Sequence, residues 1–246
     1  MDNPLILFAI GTLAGLVDAI AGGGGLITVP ALLWSGLDPV AALATNKAQG
    51  VFGSGAAAVN FARLGAIDLH RAWPAFLCSL IGAGAGAAAV QHLGTEALTR
   101  LVPLLLIAFA LYFLVSPRVS DLDSRRRMGE AAFALLVGTG VGFYDGFFGP
   151  GTGTFFAMAY VGLLGYNLRR ATAHTKLLNF ASNLAALAFF VAAAKVVWVL
   201  ALPMAAGQLI GAWVGSHLAL RHGARLIRPL LVLAALAASV KLLIQP

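Results

Sequence analysis

Between short polar connections, this chain is a succession of apolar runs about as long as a bilayer is thick: roughly Val40–Ala62, Ala72–Leu93, Leu98–Ser116, Leu168–Ala194, Val196–Leu220 and Ile227–Ile244. About 20 apolar residues in a helix rise ~30 Å, the depth of a hydrocarbon core. Inside that core a backbone must satisfy its own hydrogen bonds, which leaves only helices and closed barrels. No segment alternates apolar and polar residues over the roughly ten positions of a barrel strand. The chain therefore reads as an all-α polytopic membrane protein. Only 10% of its residues are charged, against about a quarter in soluble domains.

Two stretches break this pattern, and they resemble each other. An apolar run from Leu5 to about Ala21 carries one carboxylate, Asp18, dissolves into Gly22–Gly25, then resumes as a short run from Leu26 to Gly36. At an offset of 127 residues, Gly11, Thr12, Gly15, Asp18, Gly22 and Gly24 meet Gly138, Thr139, Gly142, Asp145, Gly149 and Gly151. After a two-residue slip Gly36, Lys47, Pro74, Gly82 and Gly86 meet Gly165, Lys176, Pro203, Gly211 and Gly215. Coincident Asp, Lys, Pro and Gly mark a true internal duplication. A broken apolar helix at matching places in two halves points to a binding site in a membrane transporter. The division is an N-terminal transmembrane repeat, residues 1–116, a cytoplasmic linker, 117–128, and a C-terminal transmembrane repeat, 129–246.

Loop charge decides how the halves are oriented. If the broken segments cross the membrane, loop Lys and Arg split eight to six between its sides. If they enter and return, Arg63, Arg71, Arg118, Arg125, Arg126, Arg127, Arg169, Arg170, Arg221, Arg225 and Arg228 share one side, with only Arg100, Lys195 and Lys241 opposite. Such a bias is the positive-inside signature. The expected fold is thus an inverted repeat, each half a re-entrant helical hairpin plus three transmembrane helices, in the inner membrane. Both termini are then outside and the Arg-rich loops are cytoplasmic. Loop arginines account for the net charge of +7, and without interleaved Asn, Gln or aromatic residues they indicate no nucleic-acid partner. The amino terminus lacks a basic n-region, so no cleaved signal peptide is expected.

Hairpins entering from opposite faces bring their glycine tips together, around a cavity, because irregular backbone at that depth must be buried in protein or line water. Ionisable residues at that depth are few: Asp18, Lys47, Asp145 and Lys176, with His174 beside the last. Each requires a partner or a function. Two equivalent lysines facing one another would repel unless an anion lies between them. A short helix starting after each glycine tract also aims its free N–H groups at the same place. The expected anion site is therefore Lys47 and Lys176, with Asn46, Thr175 and Asn179 for directional bonds and Gly23, Gly24, Gly25, Gly151, Thr152 and Gly153 as tip donors. Asn183 belongs to the same polar cluster. The alternative gives the lysines a structural role, Lys47 pairing with Asp18 and Lys176 with Asp145. Asp18, Asp145 and His174 stand as coupling or structural groups. No motif for hydrolysis or metal catalysis is present, so no enzyme, metal or cofactor is expected. The single Cys78 permits neither an internal disulfide nor a cysteine cluster.

The segments Asp18-Ala-Ile-Ala-Gly-Gly-Gly-Gly-Leu, Thr45-Asn-Lys47, Asp145-Gly-Phe-Phe-Gly-Pro-Gly-Thr-Gly153 and Thr175-Lys-Leu-Leu-Asn-Phe-Ala-Ser-Asn183 together resemble the sulfite exporter TauE/SafE family of membrane permeases. The resemblance covers nearly the whole chain. It implies a secondary transporter of small anions, sulfur oxyanions or organosulfonates such as sulfite, working as an exporter. An anion channel or an importer of other small organic anions is the alternative. A small anionic solute and the lipid bilayer are the expected partners, and a homodimer stays open.

Overall fold

The computed structural model describes residues 3–93, 95–115 and 125–222. Part of the expected linker and the last expected span, 227–244, lie outside the described residues. Regular structure among the described residues is helical: α1 (Pro4–Ala21), α2 (Gly25–Trp34), α3 (Pro39–Arg63), α4 (Leu69–Gln91), α5 (Thr95–Val115), α6 (Glu130–Ala132), a π-helical stretch (Phe133–Gly138), α7 (Thr139–Phe147), α8 (Thr152–Leu164), α9 (Leu168–Ala192) and α10 (Trp198–His222). Sharp starts have local causes. Asn3, Asp38, Asp68 and Asn167 each accept a backbone N–H at a helix start, and Pro4 and Pro39 occupy the first turn, where no N–H is missed. The π-helical stretch interrupts the apolar residues leading to Asp145, and the sequence pattern carries no signal for it.

Helices α1, α4, α9 and α10 are long and apolar enough to cross a membrane, while α2 and α8 are short apolar helices. Exposed Ile81, Leu135, Leu136, Val199 and Leu202 give the bundle an apolar outer surface, as a lipid-facing protein requires.

Each broken segment folds back on itself. In the first, Leu32 of α2 packs in one buried cluster with Leu7 of α1, so the end of α2 lies beside the start of α1. In the second, the Leu163 carbonyl of α8 accepts from Arg127 N (2.8 Å) and Met128 N (3.0 Å), just before α6.

The halves interlock by exchanging partners. Helix α1 packs along α10, and α7 along α4. Small residues allow it: a Cβ on Gly15 would lie 2.7 Å from the Gln208 carbonyl oxygen, and one on Gly142 2.6 Å from that of Ser79. Helices α3 and α9 are repeat counterparts that run antiparallel. Thr45 Oγ1, near the start of α3, accepts from Val197 N, beyond the end of α9 (3.1 Å). Asp68 N, beyond the end of α3, donates to His174 Nε2, near the start of α9 (3.3 Å).

Candidate binding site

The two glycine tips meet backbone to backbone. Gly22 sits at φ 78° closing α1, and a Cβ there would lie 2.5 Å from the Gly153 carbonyl carbon. No side chain fits between the tips. A bond from Thr154 Oγ1 to the Ala21 carbonyl (2.9 Å) pins them together. Helices α2 and α8 begin at this junction, at Gly25 and Thr152. The first N–H groups of a helix have no acceptor within it and form its positive end.

Both buried lysines are paired, but across the halves. Lys47 Nζ lies 2.6 Å from Asp145 Oδ1, and Lys176 Nζ lies 2.8 Å from Asp18 Oδ2. This corrects the within-half alternative, Lys47 with Asp18 and Lys176 with Asp145. The physical reason is the partner exchange of the fold. The hairpin carrying Asp18 reaches α9, and the hairpin carrying Asp145 reaches α3. It also replaces the picture of two unneutralised amines held apart only by an anion. Each already has a carboxylate, which holding an ammonium out of water demands.

The two pairs are not equivalent. Asp145 is crowded by donors: Oδ1 accepts from Lys47 and lies 3.0 Å from Thr152 Oγ1, whose one proton is shared with the Gly149 carbonyl (2.6 Å), and Oδ2 accepts from Ser182 Oγ. Its side chain is 4% exposed. Among the described residues, Asp18 has Lys176 on Oδ2 and only Gly24 N, at 3.2 Å, on Oδ1, and is 21% exposed. The repeat explains the difference. Where the second half has the hydroxyls of Thr152 and Ser182, the first has Gly25 and Gly53.

Between the tips and the middle of the bundle lies a cavity of about 40 Å³, room for more than one water-sized group. Expected residues that line it are Asn46, Lys47, Asn179, Gly24, Gly25, Gly151, Thr152 and Gly153, together with Asp18, Asp145 and Asn183. Gly23, Thr175 and Lys176 are not among its lining residues; Lys176 reaches it only through Asp18. His174 stands apart. Its Nε2 accepts from Asp68 N, its Nδ1 meets the Arg170 carbonyl (2.9 Å), and its ring packs on Tyr160 and Tyr166. It clasps the α3–α4 turn to α9.

Gln49 and Gln208 also line the cavity, and the sequence reading does not single them out. The signal was there for Gln208, the sole side-chain amide in the apolar run of α10, since an amide at that depth needs a partner. Gln49 Nε2 donates to Asn46 Oδ1 (2.8 Å), which also accepts from Thr28 Oγ1 (2.5 Å). Gln49 Oε1 and Asn179 Oδ1 are buried without a hydrogen-bond partner among the described residues. Buried polar atoms ordinarily have one, so these two carbonyl oxygens call for a donor such as water, while the amide NH2 groups beside them are the donors an anion could use. No cluster of three metal-ligating side chains occurs among the described residues.

A membrane-embedded helical bundle whose paired hairpins close on a small polar cavity has the build of a membrane transporter. The model of the sulfite exporter TauE/SafE family matches residues 7–242, and the chain belongs to that family. It is 45% identical over 240 residues to the probable membrane transporter protein ORF9 of a Sinorhizobium species, covering 98% of this chain and 92% of the relative. Identity to the probable membrane transporter protein YfcA of Escherichia coli K12 is also 45%, over 246 residues, with 99% and 91% covered. A probable membrane transporter protein of Haemophilus influenzae is 41% identical over 242 residues, with 98% and 95% covered. All three are named as probable membrane transporter proteins, and this chain is a membrane transporter of the TauE/SafE family. No solved structure matches the chain.

Proposed function

We propose that this protein is a secondary transporter of a small anion, a sulfur oxyanion such as sulfite or an organosulfonate, held in the cavity between the glycine tips. One observation carries the reading. Two helix starts converge on a cavity whose two carboxylates are each matched by a lysine, so the positive helix ends act on a site of no net negative charge. Lys47 faces the solute directly, and Lys176 acts through Asp18. Gln49, Asn179, Asn183 and Gln208 supply directional bonds. The name of the matching family supports sulfite.

The antiparallel course of α3 and α9 and the reciprocal packing of α1 on α10 and α7 on α4 support an inverted repeat over residues 1–116 and 129–246. Each hairpin then enters the membrane and returns. Rocking one half against the other exposes the cavity alternately. With Arg-rich loops in the cytoplasm of a cell whose inner membrane is negative inside, expulsion of an anion is favoured by roughly 2.3 kcal/mol per charge per 100 mV. The test is flux in proteoliposomes. Purified protein should move labelled sulfite or methanesulfonate with saturation and counterflow, which a channel does not show. Folded protein that moves neither above the level of empty vesicles overturns the proposal.

A further inference from the structure

The two carboxylates at the tips occupy equivalent places in the repeat but have been given different surroundings. Asp145 has three donors and no exposure to speak of, so a proton arriving there would have to displace Lys47, Thr152 or Ser182. Asp18 has a free flank on the cavity, with one long backbone contact on Oδ1. The charged groups facing Asp18 are Lys176 from α9 and, around the same cavity, Lys47 from α3 and Asp145 from α7. Helix α10 contributes the neutral Gln208, α2 contributes Gly25, and α8 contributes Thr152 and Gly153. Lys176 is 1% exposed, and among the described residues its ammonium has no bond other than that to Asp18.

We infer that Asp18 is the proton site of this transporter, binding one proton per turnover together with the anion, while Asp145 is a fixed structural group. The inference rests on the anion-transport reading and adds the co-transported species. Its logic is charge replacement. A proton on Asp18 leaves Lys176 as a buried cation without a counter-ion, a state that is strongly unfavourable. An anion beside Asp18 removes that penalty, and in turn a bound anion favours the neutral acid. Proton and anion therefore bind cooperatively, each raising the affinity of the other by the same factor. The proton comes from cavity water on one side and returns to water on the other. Lys176 keeps its own proton, and no bond other than the Asp18 O–H forms or breaks. A dianion accompanied by one proton still carries one net negative charge outward, so the membrane potential drives its export. A monoanion crosses electroneutrally, so the potential does not act on it and its direction follows the pH gradient and its own concentration gradient.

The full chain in proteoliposomes, with the membrane potential clamped at zero and a pH-sensitive dye in the lumen, provides the test. Methanesulfonate is the first probe because it is an anion at every usable pH; sulfite is run in parallel, both against empty vesicles. In wild-type protein an inward methanesulfonate gradient should acidify the lumen by one proton per anion, and an alkaline lumen should accumulate it about tenfold per pH unit. In Asp18→Asn, residual exchange of labelled anion should be independent of pH and move no protons. Anion movement in the wild type without lumenal acidification overturns the inference and leaves the transport reading standing. So does proton movement that survives in Asp18→Asn. Movement of neither anion removes the transport reading, and this inference with it.

Discussion

The crossed ion pairs are the feature of the fold most open to a quantitative check. Asp145→Leu would leave Lys47, 1% exposed, as an unpaired buried cation. The Thr152 and Ser182 hydroxyls keep the Gly149 and Asn179 carbonyls as acceptors, so the cost falls on the stranded ammonium. Breaking a buried pair from one side costs about 3–5 kcal/mol. For a domain of about this size 1 kcal/mol moves the midpoint by about 2–4 °C, so the expected loss is about 6–20 °C. Lys47→Met should cost a similar amount. The double variant should be far more stable than the sum of the singles implies, because removing both charges of a buried pair is close to neutral. Apparent thermal midpoints in detergent, measured at one scan rate for all four proteins, give the coupling. Two single losses of about 3–5 kcal/mol each against a nearly neutral double give an expected coupling of about 6–10 kcal/mol, above the usual range for contacting residues. Lys176→Met with Asp18→Leu should couple more weakly, since the 21% exposed Asp18 is partly compensated by water. Larger coupling in the within-half cycles, Lys47 with Asp18 and Lys176 with Asp145, would refute the partner exchange on which the site is built.

Further expectations concern the tips, the cavity, the ends of the bundle and one helix cap. Gly153→Val should lower the apparent midpoint and abolish sulfite flux, because Gly22 backbone occupies the space a side chain would take; normal flux would show that the tips are not in contact in the membrane. Gln208→Leu should keep the fold yet weaken sulfite binding several-fold in a thermal-shift titration, since it removes one cavity-lining amide; unchanged affinity would take Gln208 out of the site. With Cys78 first changed to Ser, Asn3→Cys should react with an impermeant thiol reagent added from outside intact cells, and Leu64→Cys, exposed after α3, should not. The opposite pattern would reverse the proposed orientation. The Asp68 carboxyl accepts the Arg71 N–H, which holds it below its ordinary value. Its cap is therefore complete above the unfolded value of 3.8 and is lost as pH falls through the lower folded value. Unfolding midpoints should be less acid-sensitive in Asp68→Asn than in wild type, and an unchanged acid dependence would contradict the cap.

The asymmetry between the carboxylates bears on how a duplicated transporter departs from symmetry. Each hairpin carries one Asp and each following helix one Lys. Where the second half has Thr152 and Ser182 the first has Gly25 and Gly53, and the space above Gly53 is taken by the Gln208 side chain. One half thereby surrounds its carboxylate with donors, while the other leaves a flank open on the cavity.

Much was legible in the sequence because a bilayer removes alternatives. Apolar length, glycine breaks and capping residues are local, so the run Leu5–Ala21 became α1 and Leu26–Gly36 became α2 with ends shifted by only a residue or two. The duplication likewise singled out Asp18, Lys47, Asp145 and Lys176, because four ionisable residues in matching apolar runs need a common cause. Pairing was not legible. Within-half and cross-half partners have the same composition, the shorter sequence separation favours the within-half partner, and only the packing of α1 on α10 and α7 on α4 decides against it. The contribution of Gln208 and the withdrawal of His174 and Thr175 from the cavity were decided the same way. Local pattern sets which residues sit at depth; the angle and partner of each helix, fixed by backbone contact at Gly15 and Gly142, set which of them face one another.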